Sequence, residues 1–248
     1  MDITKYLLLI LFTLATAFTT AYAKGNHKYG ELIFEDHFER NESQETKDEP
    51  GNGWTTSSDK NRAAKGSKTV DLRDGTMHIA TPQGAHHGIS VRHGFSFTDG
   101  TISVRVKLHD KDDRLRLNFA DLPPENVGVS HLGAKHLFDA IITLDLVSLE
   151  DKIGGVLKFN EERKNGTLTK EQKKFLATKY KGFRVTLEPD KWYTFTVHID
   201  GDKISAYVDN KFIGDLRSEG FANPTKTLMR MLVRSTVTID DFMVWRRK

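Results

Sequence analysis

Thr101-Ile102-Ser103-Val104-Arg105-Val106-Lys107-Leu108-His109 is the stretch that decides the fold class. Ile102, Val104, Val106 and Leu108 fall on one side of an extended chain, and Ser103, Arg105, Lys107 and His109 on the other. That period of two marks a strand buried on one face only. The same alternation continues in both directions. Gly88-Ile89-Ser90-Val91-Arg92 repeats it upstream, and Arg114-Leu115-Arg116-Leu117-Asn118-Phe119 downstream. Residues 192–199 put Tyr193, Phe195, Val197 and Ile199 inward. Asp200-Gly201 and Asp209-Asn210 have the composition of tight hairpins and separate strands over 192–199, 203–208 and 211–215. Residues 229–234 and 236–245 close the chain. Residues 138–147 are apolar on both faces, which predicts one central strand covered on both sides.

Strands recurring at about 8–12-residue spacing, with Gly, Asp and Asn between them, predict an all-β antiparallel β-sandwich. Two stretches break the rhythm. Residues 41–64 are polar, contain Pro50, Gly51 and Gly53, and read as a long loop. Residues 160–181 are charged and helical in composition. Thr169 with Gln172 forms a capping-box pattern that opens a helix over 170–180, expected as one inserted surface helix. There is no internal repeat and no linker suited to a boundary, so residues 24–248 are expected as a single domain.

Composition narrows the function. The chain has 248 residues, 37 basic against 34 acidic, a net charge of +3 and no cysteine. That balance gives no argument for nucleic acid. The lack of cysteine excludes a disulfide scaffold, thiolate catalysis and cysteine-ligated metal. At the N-terminus Lys5 precedes an apolar run over 6–13, and Ala21-Tyr22-Ala23 follows. This is the pattern of a signal peptide over residues 1–23, cleaved after Ala23. The run is well short of the ~20 residues of a membrane span, so the product is expected in the periplasm or secreted. Export without disulfides fits a bacterial source.

The stretch from Lys191-Trp192-Tyr193-Thr194-Phe195 through Tyr207-Val208-Asp209-Asn210-Lys211 resembles the concanavalin A-like lectin/glucanase superfamily. Val237-Thr238-Ile239-Asp240-Asp241-Phe242-Met243-Val244-Trp245 looks like its last strand, and Leu32-Ile33-Phe34-Glu35-Asp36-His37-Phe38 like its first. Residues 73–79 and 97–108 match the order of elements between. Within this group the chain looks nearest to exported bacterial domains described as 3-keto-disaccharide hydrolases. The resemblance implies a jelly roll of two curved antiparallel sheets that binds an oligosaccharide or polysaccharide on its concave side. It also implies a structural calcium held by Glu35, Gly75 and Asp241, oxygen donors that suit that ion; no other cofactor is expected. One departure matters. The glucanases of this group carry three carboxylates on one strand, E-x-D-x-x-E. Residues 137–150 contain no carboxylates two residues apart, so the retaining glucanase mechanism is not expected.

Sorting strands by parity leaves a basic outward side: Arg92; Arg105 and Lys107; Arg114 and Arg116 with Asn118; Arg230 and Arg234. Such residues suit a carboxylated or sulfated glycan, because guanidinium binds oxyanions bidentately; an ordinary charged surface is the competing reading. His86, His87 and His93 flank one strand, and His131 and His136 precede another. His87, Arg92, Arg116, Asn118 and His136 could together supply the base and the carboxylate neutraliser of a glycan lyase. A hydrolase would instead recruit Asp121 or Asp139 beside a histidine. Zinc on His86, His87 and His136 is disfavoured, since adjacent strand residues point to opposite faces. Arg105, Trp54 and Asp139 are expected to contact the sugar, while Trp192 and Trp245 are expected in the core. The reading is an exported glycan-processing hydrolase or lyase. A non-catalytic carbohydrate-binding module is the alternative, and a protein-binding laminin G-like module a third.

Overall fold

The alternating stretches are strands in a computed structural model that describes residues 28–57, 68–85 and 87–247. The expected signal peptide and His86 lie outside that range. Seven strands build what we term the front sheet: β2 (Thr55–Thr56), β5 (Ile89–Phe97), β7 (Leu115–Asp121), β8 (Lys135–Ile142), β9 (Leu146–Asp151), β10 (Tyr180–Arg184) and β14 (Lys226–Val233). Their spatial order is β10-β9-β8-β7-β14-β5-β2. The back sheet contains β1 (Glu31–Asp36), β3 (Val70–Arg73), β4 (Thr76–Ala80), β6 (Gly100–Leu108), β11 (Trp192–Asp200), β12 (Lys203–Val208), β13 (Lys211–Arg217) and β15 (Thr236–Arg246). It runs β13-β12-β11-β6-β15-β4-β3, and β1 pairs with the second half of β15. Every pairing is antiparallel, and the architecture is a jelly-roll sandwich.

Parity decides which side of each strand meets the other sheet. Ile102, Val104, Val106 and Leu108 are at most 1% exposed. They join Phe195, Val197, Ile239, Leu117, Phe119, Phe138, Met229 and Met231 in one core cluster. Burying a Val, Leu, Ile, Phe or Met side chain is worth about 1.5–3 kcal/mol, which is why the period-two pattern dominates this chain. The hairpin turns have the chemistry their residues indicate. Asp209 and Asn210 both have positive φ (48° and 63°) between β12 and β13, and so do Asp74 and Gly75 (52° and 65°) between β3 and β4, as type I′ turns require.

Two sequence expectations are corrected. Residues 138–147 are not one central strand. The chain turns at Thr143, whose Oγ1 donates to Asp145 Oδ1 at 2.7 Å, and returns as β9. Buried neighbours on both sides of the segment made a hairpin look like one long run. The inserted segment is also not one helix. It contains α1 (Asn160–Lys164) and α2 (Lys170–Ala177), and Tyr180 already belongs to edge strand β10. The Thr169–Gln172 capping box is present.

The open edge of the sandwich is closed where β10 lies over β13. A Cβ on Gly214 would stand 2.1 Å from the Phe183 ring, so that ring rests directly on the backbone of the opposite sheet. Gly214→Ala is expected to push Phe183 outward and cost about 1–3 kcal/mol. Chemical denaturation would register this as a lower midpoint with unchanged slope; an unshifted midpoint would contradict the contact.

Candidate functional site

The front sheet carries a polar row on the face turned away from the core. Its register sets Thr55 opposite Arg92, Arg92 opposite Arg230, Arg230 opposite Asn118, Asn118 opposite Asp139, and Asp139 opposite Glu150. Five different strand pairings therefore place these side chains beside one another, although as many as 138 positions separate two direct neighbours, Arg92 and Arg230. Arg116 lies one step along the same face, two residues from Asn118.

His136 enters this row through a bulge. Phe119 pairs with Phe138 but Ala120 pairs with His136, so Leu137 is the extra residue. Strict alternation would aim His136 inward with Phe138; the bulge turns it to the side of Asn118, as bulges re-aim side chains at sites. Asn118 Nδ2 donates to Asp139 Oδ1 at 2.5 Å. The Asn118 oxygen therefore accepts from His136 Nδ1–H at 2.9 Å. That assigns the tautomer and leaves the lone pair on Nε2, which accepts from Arg230 Nη2 at 3.1 Å. Burial, and then the Arg230 charge, depress His136 to about 4, so its imidazole is neutral at neutral pH.

The cations are crowded. Arg230 is depressed to about 10 by burial and by Arg92, and its buried Nε–H has no hydrogen-bond acceptor among the described residues. Arg92 Nε donates to Ser90 Oγ at 3.1 Å, and Arg92 Nη1 lies 3.2 Å from His131 Nε2. Asp139 is fully buried. Its Oδ2 stands 3.4 Å from Arg116 Nη1 and 3.6 Å from Lys152 Nζ, ion pairs without hydrogen-bond geometry. Lys152 also reaches Glu150 Oε2 at 3.3 Å. Arg92, Arg116, Arg230 and Lys152 thus outnumber Asp139 and Glu150, and the row is electropositive. Beside it opens a cleft of about 560 Å³, lined by Thr55, Thr56, Arg92, His131 and neighbouring loop residues.

The structure gathers Arg92, Arg116, Asn118, His136 and Asp139 and separates the other sequence candidates from them. His87 is exposed in the turn before β5, its Nδ1 3.2 Å from Gly88 O. His136 is level with Gly94 through Ala120 and Leu228. Ile89 to Gly94 alone spans about 17 Å of strand, so the two histidines do not meet. Arg105 is on the back sheet, ion-paired with Asp240 at 2.8 Å and Asp241 at 3.3 Å; parity gives a residue's face but not its sheet. Trp54 is 5% exposed. Its Nε1 donates to Asp36 Oδ2 at 2.8 Å and its ring packs on Phe34 and Phe242, so it belongs to the core. Trp192 is only half-buried, flanked by Arg105 and Lys107 at 4.8 and 4.7 Å from its ring. Asp121 is engaged by Thr225 and Thr227. Lys152 and Glu150 are not among the sequence candidates, while His131, one of the histidines noted before a strand, meets Arg92. Arg230 was legible from its parity between Met229 and Met231.

The expected calcium ligands Glu35, Gly75 and Asp241 come from β1, the β3–β4 turn and β15, and both β1 and β4 pair with β15. Glu35 and Asp241 flank His37, whose Nδ1 is 2.7 Å from Asp241 Oδ1 and whose Nε2 is 3.5 Å from Glu35 Oε2. Asp241 Oδ2 also faces Arg105. Gly75 sits in the β3–β4 turn beside the Glu39 carboxylate. Among the described residues the one close acidic group is Glu42, Glu45 and Asp71, and Lys68 ion-pairs with all three.

Burial also gives the fold a pH dependence. His198, like His136, is depressed to about 4 by burial first. Both protonate more readily in the unfolded chain. Their contribution to stability is therefore complete above about pH 6.5, falls as the pH drops toward about 4, and levels off below it. The loss is on the order of 3 kcal/mol for each histidine. Urea unfolding at a series of pH values checks this. His198→Gln should make the drop smaller, and a profile unchanged by the substitution would contradict it.

No protein-family model matches the chain, and no curated protein matches it in sequence. Solved structures do match in fold. A carbohydrate-binding module of Bacillus subtilis is 12% identical at a TM-score of 0.50, covering 78% of this chain and 95% of its own. A Flavobacterium laminarinase is 14% identical at 0.52, covering 87% and 100%. A Bacillus licheniformis β-glucanase is 12% identical at 0.53, covering 88% and 99%. The fold is thus that of the concanavalin A-like jelly rolls. None of these three is described as a 3-keto-disaccharide hydrolase. No helix among the described residues is long and apolar enough to cross a membrane.

Proposed function

We propose that this is an exported carbohydrate-active protein that binds an anionic glycan on the outer face of the front sheet and cleaves it by β-elimination at a uronate. The observation that carries the reading is the pairing of Arg230 with Arg92 across the ladder, with a buried Arg230 N–H that lacks an acceptor among the described residues. Like charges set side by side and an unsatisfied donor are unfavourable in the free protein. A carboxylate relieves both at once. The fold's likeness to glucan-active and carbohydrate-binding structures supports a sugar ligand, and the N-terminal pattern supports export.

Elimination suits the groups present. The guanidinium pair neutralises the uronate carboxylate and so acidifies the adjacent C–H. By drawing Arg230 toward itself, the carboxylate also frees His136 Nε2 from the hydrogen bond that occupies it. The imidazole takes the proton, the C–H electrons form a C=C bond, and the glycosidic C–O bond on the β carbon breaks. The leaving oxygen recovers a proton from the imidazolium, and no water is consumed. Asp139 and Asn118 hold the tautomer. A hydrolase is less well supported, since Asp139 is fully enclosed by its own cluster.

A second reading, an anionic-glycan-binding module without turnover, draws on the low basicity of His136. Incubation with a panel of uronate polysaccharides separates the two. Elimination yields products with the ultraviolet absorbance of a conjugated C=C and without the added mass of water, and His136→Ala should abolish them. Saturated products, or turnover indifferent to His136→Ala, would overturn the enzyme reading. Retention on the polysaccharide without product would leave the binding module standing.

A further inference from the structure

The cleft beside the arginine pair has a second chemistry. Val127, Val129 and Leu132 are 45%, 82% and 67% exposed, and they belong to the loop joining β7 to β8. Among the described residues only Leu157, Tyr180 and Phe212 are other large apolar side chains so exposed. Half of that exposure is therefore concentrated in one short loop. The loop has a built shape. Val129 N and Ser130 N both donate to Asn126 O, at 3.1 and 3.0 Å. Asn126 Nδ2 donates to Leu132 O at 3.0 Å, and Leu132 N to Ser130 Oγ at 3.1 Å.

Val129 and Leu132 line the 560 Å³ cleft together with Leu122 and Leu228. Leu122 and Leu228 form, with Ala120, a small apolar cluster separate from the main core. Gly94, also on the lining, keeps the floor open: a Cβ there would have one backbone atom within 4 Å, at 3.7 Å. Arg92 and His131 border the same space. One side of the cleft is aliphatic and the other polar, where Thr55, Thr56, Ser57, Ser130 and His93 also stand, and a cleft of this size that combines the two is the usual form of a small-ligand site. A sugar hydroxyl set against the leucine and valine side would find no partner there. That side is aliphatic rather than aromatic, so it suits a compact apolar group better than a stacked ring face.

Resting on the anionic-glycan reading above, we infer that this cleft is a subsite for an acyl substituent on the bound uronate chain. The acyl methyl sits among Leu122, Leu228, Val129 and Leu132 while the neighbouring carboxylate meets Arg92 and Arg230. The preferred substrate is thus an O-acylated uronate glycan rather than the bare polymer.

The test uses mannuronate tetrasaccharides in two forms, O-acetylated and chemically deacetylated, titrated calorimetrically into the full chain and into a Val129→Ser/Leu132→Ser variant. Both side chains are largely exposed, so the variant should fold normally. The wild type should bind the acetylated form roughly fivefold more tightly, the effect of burying about one methyl group. The variant should bind both forms with the affinity the wild type shows for the deacetylated one. Equal affinities in the wild type, or a preference that survives in the variant, would overturn the subsite. So would a wild-type dimer that the variant breaks, since the patch would then face a second copy. Binding of the deacetylated form without preference overturns the subsite and keeps the anionic reading; binding of neither form removes both.

Discussion

Arg230→Met is expected to weaken binding of a uronate oligosaccharide by about a hundredfold, with the fold intact. Removing one partner of a desolvated charge pair costs about 2–5 kcal/mol, and every 1.4 kcal/mol is about tenfold. The free protein loses little. Arg230 faces Arg92, and its buried Nε–H has no acceptor among the described residues, so an apolar side chain of similar length removes a repulsion and an unmet donor together. A second readout separates this from mere loss of contact. The Arg230 charge is the second cause, after burial, of the depression of His136. In Arg230→Met the His136 titration should therefore move up from about 4, without reaching the value of an exposed histidine because burial persists. Titration followed by NMR would show it. Unchanged affinity together with an unmoved His136 would refute the electrostatic account of the site.

Asp139→Ala is expected to lower Tm by roughly 10 °C. Asp139 is fully buried and is the shared counter-charge of Arg116 and Lys152. It also accepts the Asn118 amide that in turn fixes His136. Removing one member of a buried ionic cluster costs about 3–5 kcal/mol, because Arg116 loses its counter-charge and Lys152 is left with Glu150 alone. For a chain of this size each kcal/mol is worth about 2–4 °C. Asp139→Asn preserves an acceptor for Asn118 but not the charge, so its Tm should lie between those of Asp139→Ala and the wild type. Calorimetry on the three proteins decides the matter. A Tm for Asp139→Ala within about 2 °C of the wild type would mean that Arg116 and Lys152 are stabilised by something else.

How far the site was legible depends on the distance each relation spans. Arg92, Arg116, Asn118 and Arg230 declare their common orientation through immediate neighbours: Val91, Leu115, Leu117, Met229 and Met231 must be buried, so the residues between them face away. Asp139 follows from Phe138 and Ala140 in the same way. His136 does not, because one extra residue at Leu137 reverses its parity, and nothing local marks a bulge. Glu150 becomes the neighbour of Asp139 only once the chain turns at Thr143. Trp54 lies in a polar loop and reads as exposed, yet a distant carboxylate, Asp36, satisfies its indole and lets the ring sink among Phe34 and Phe242.

The amino-acid order by itself determined the all-β class, the inward face of most strands and the hairpin turns, because a strand's period of two and a turn's positive φ are properties of adjacent residues. Which strands stand side by side was decided only in three dimensions. Arg105 and Arg92 have equivalent patterns in sequence, yet one pairs with Asp240 on the back sheet and the other faces Arg230 on the front. Strand order and register are set by which ladder buries the most apolar area across the whole sandwich. That competition among distant segments turns a scatter of basic residues into one electropositive row.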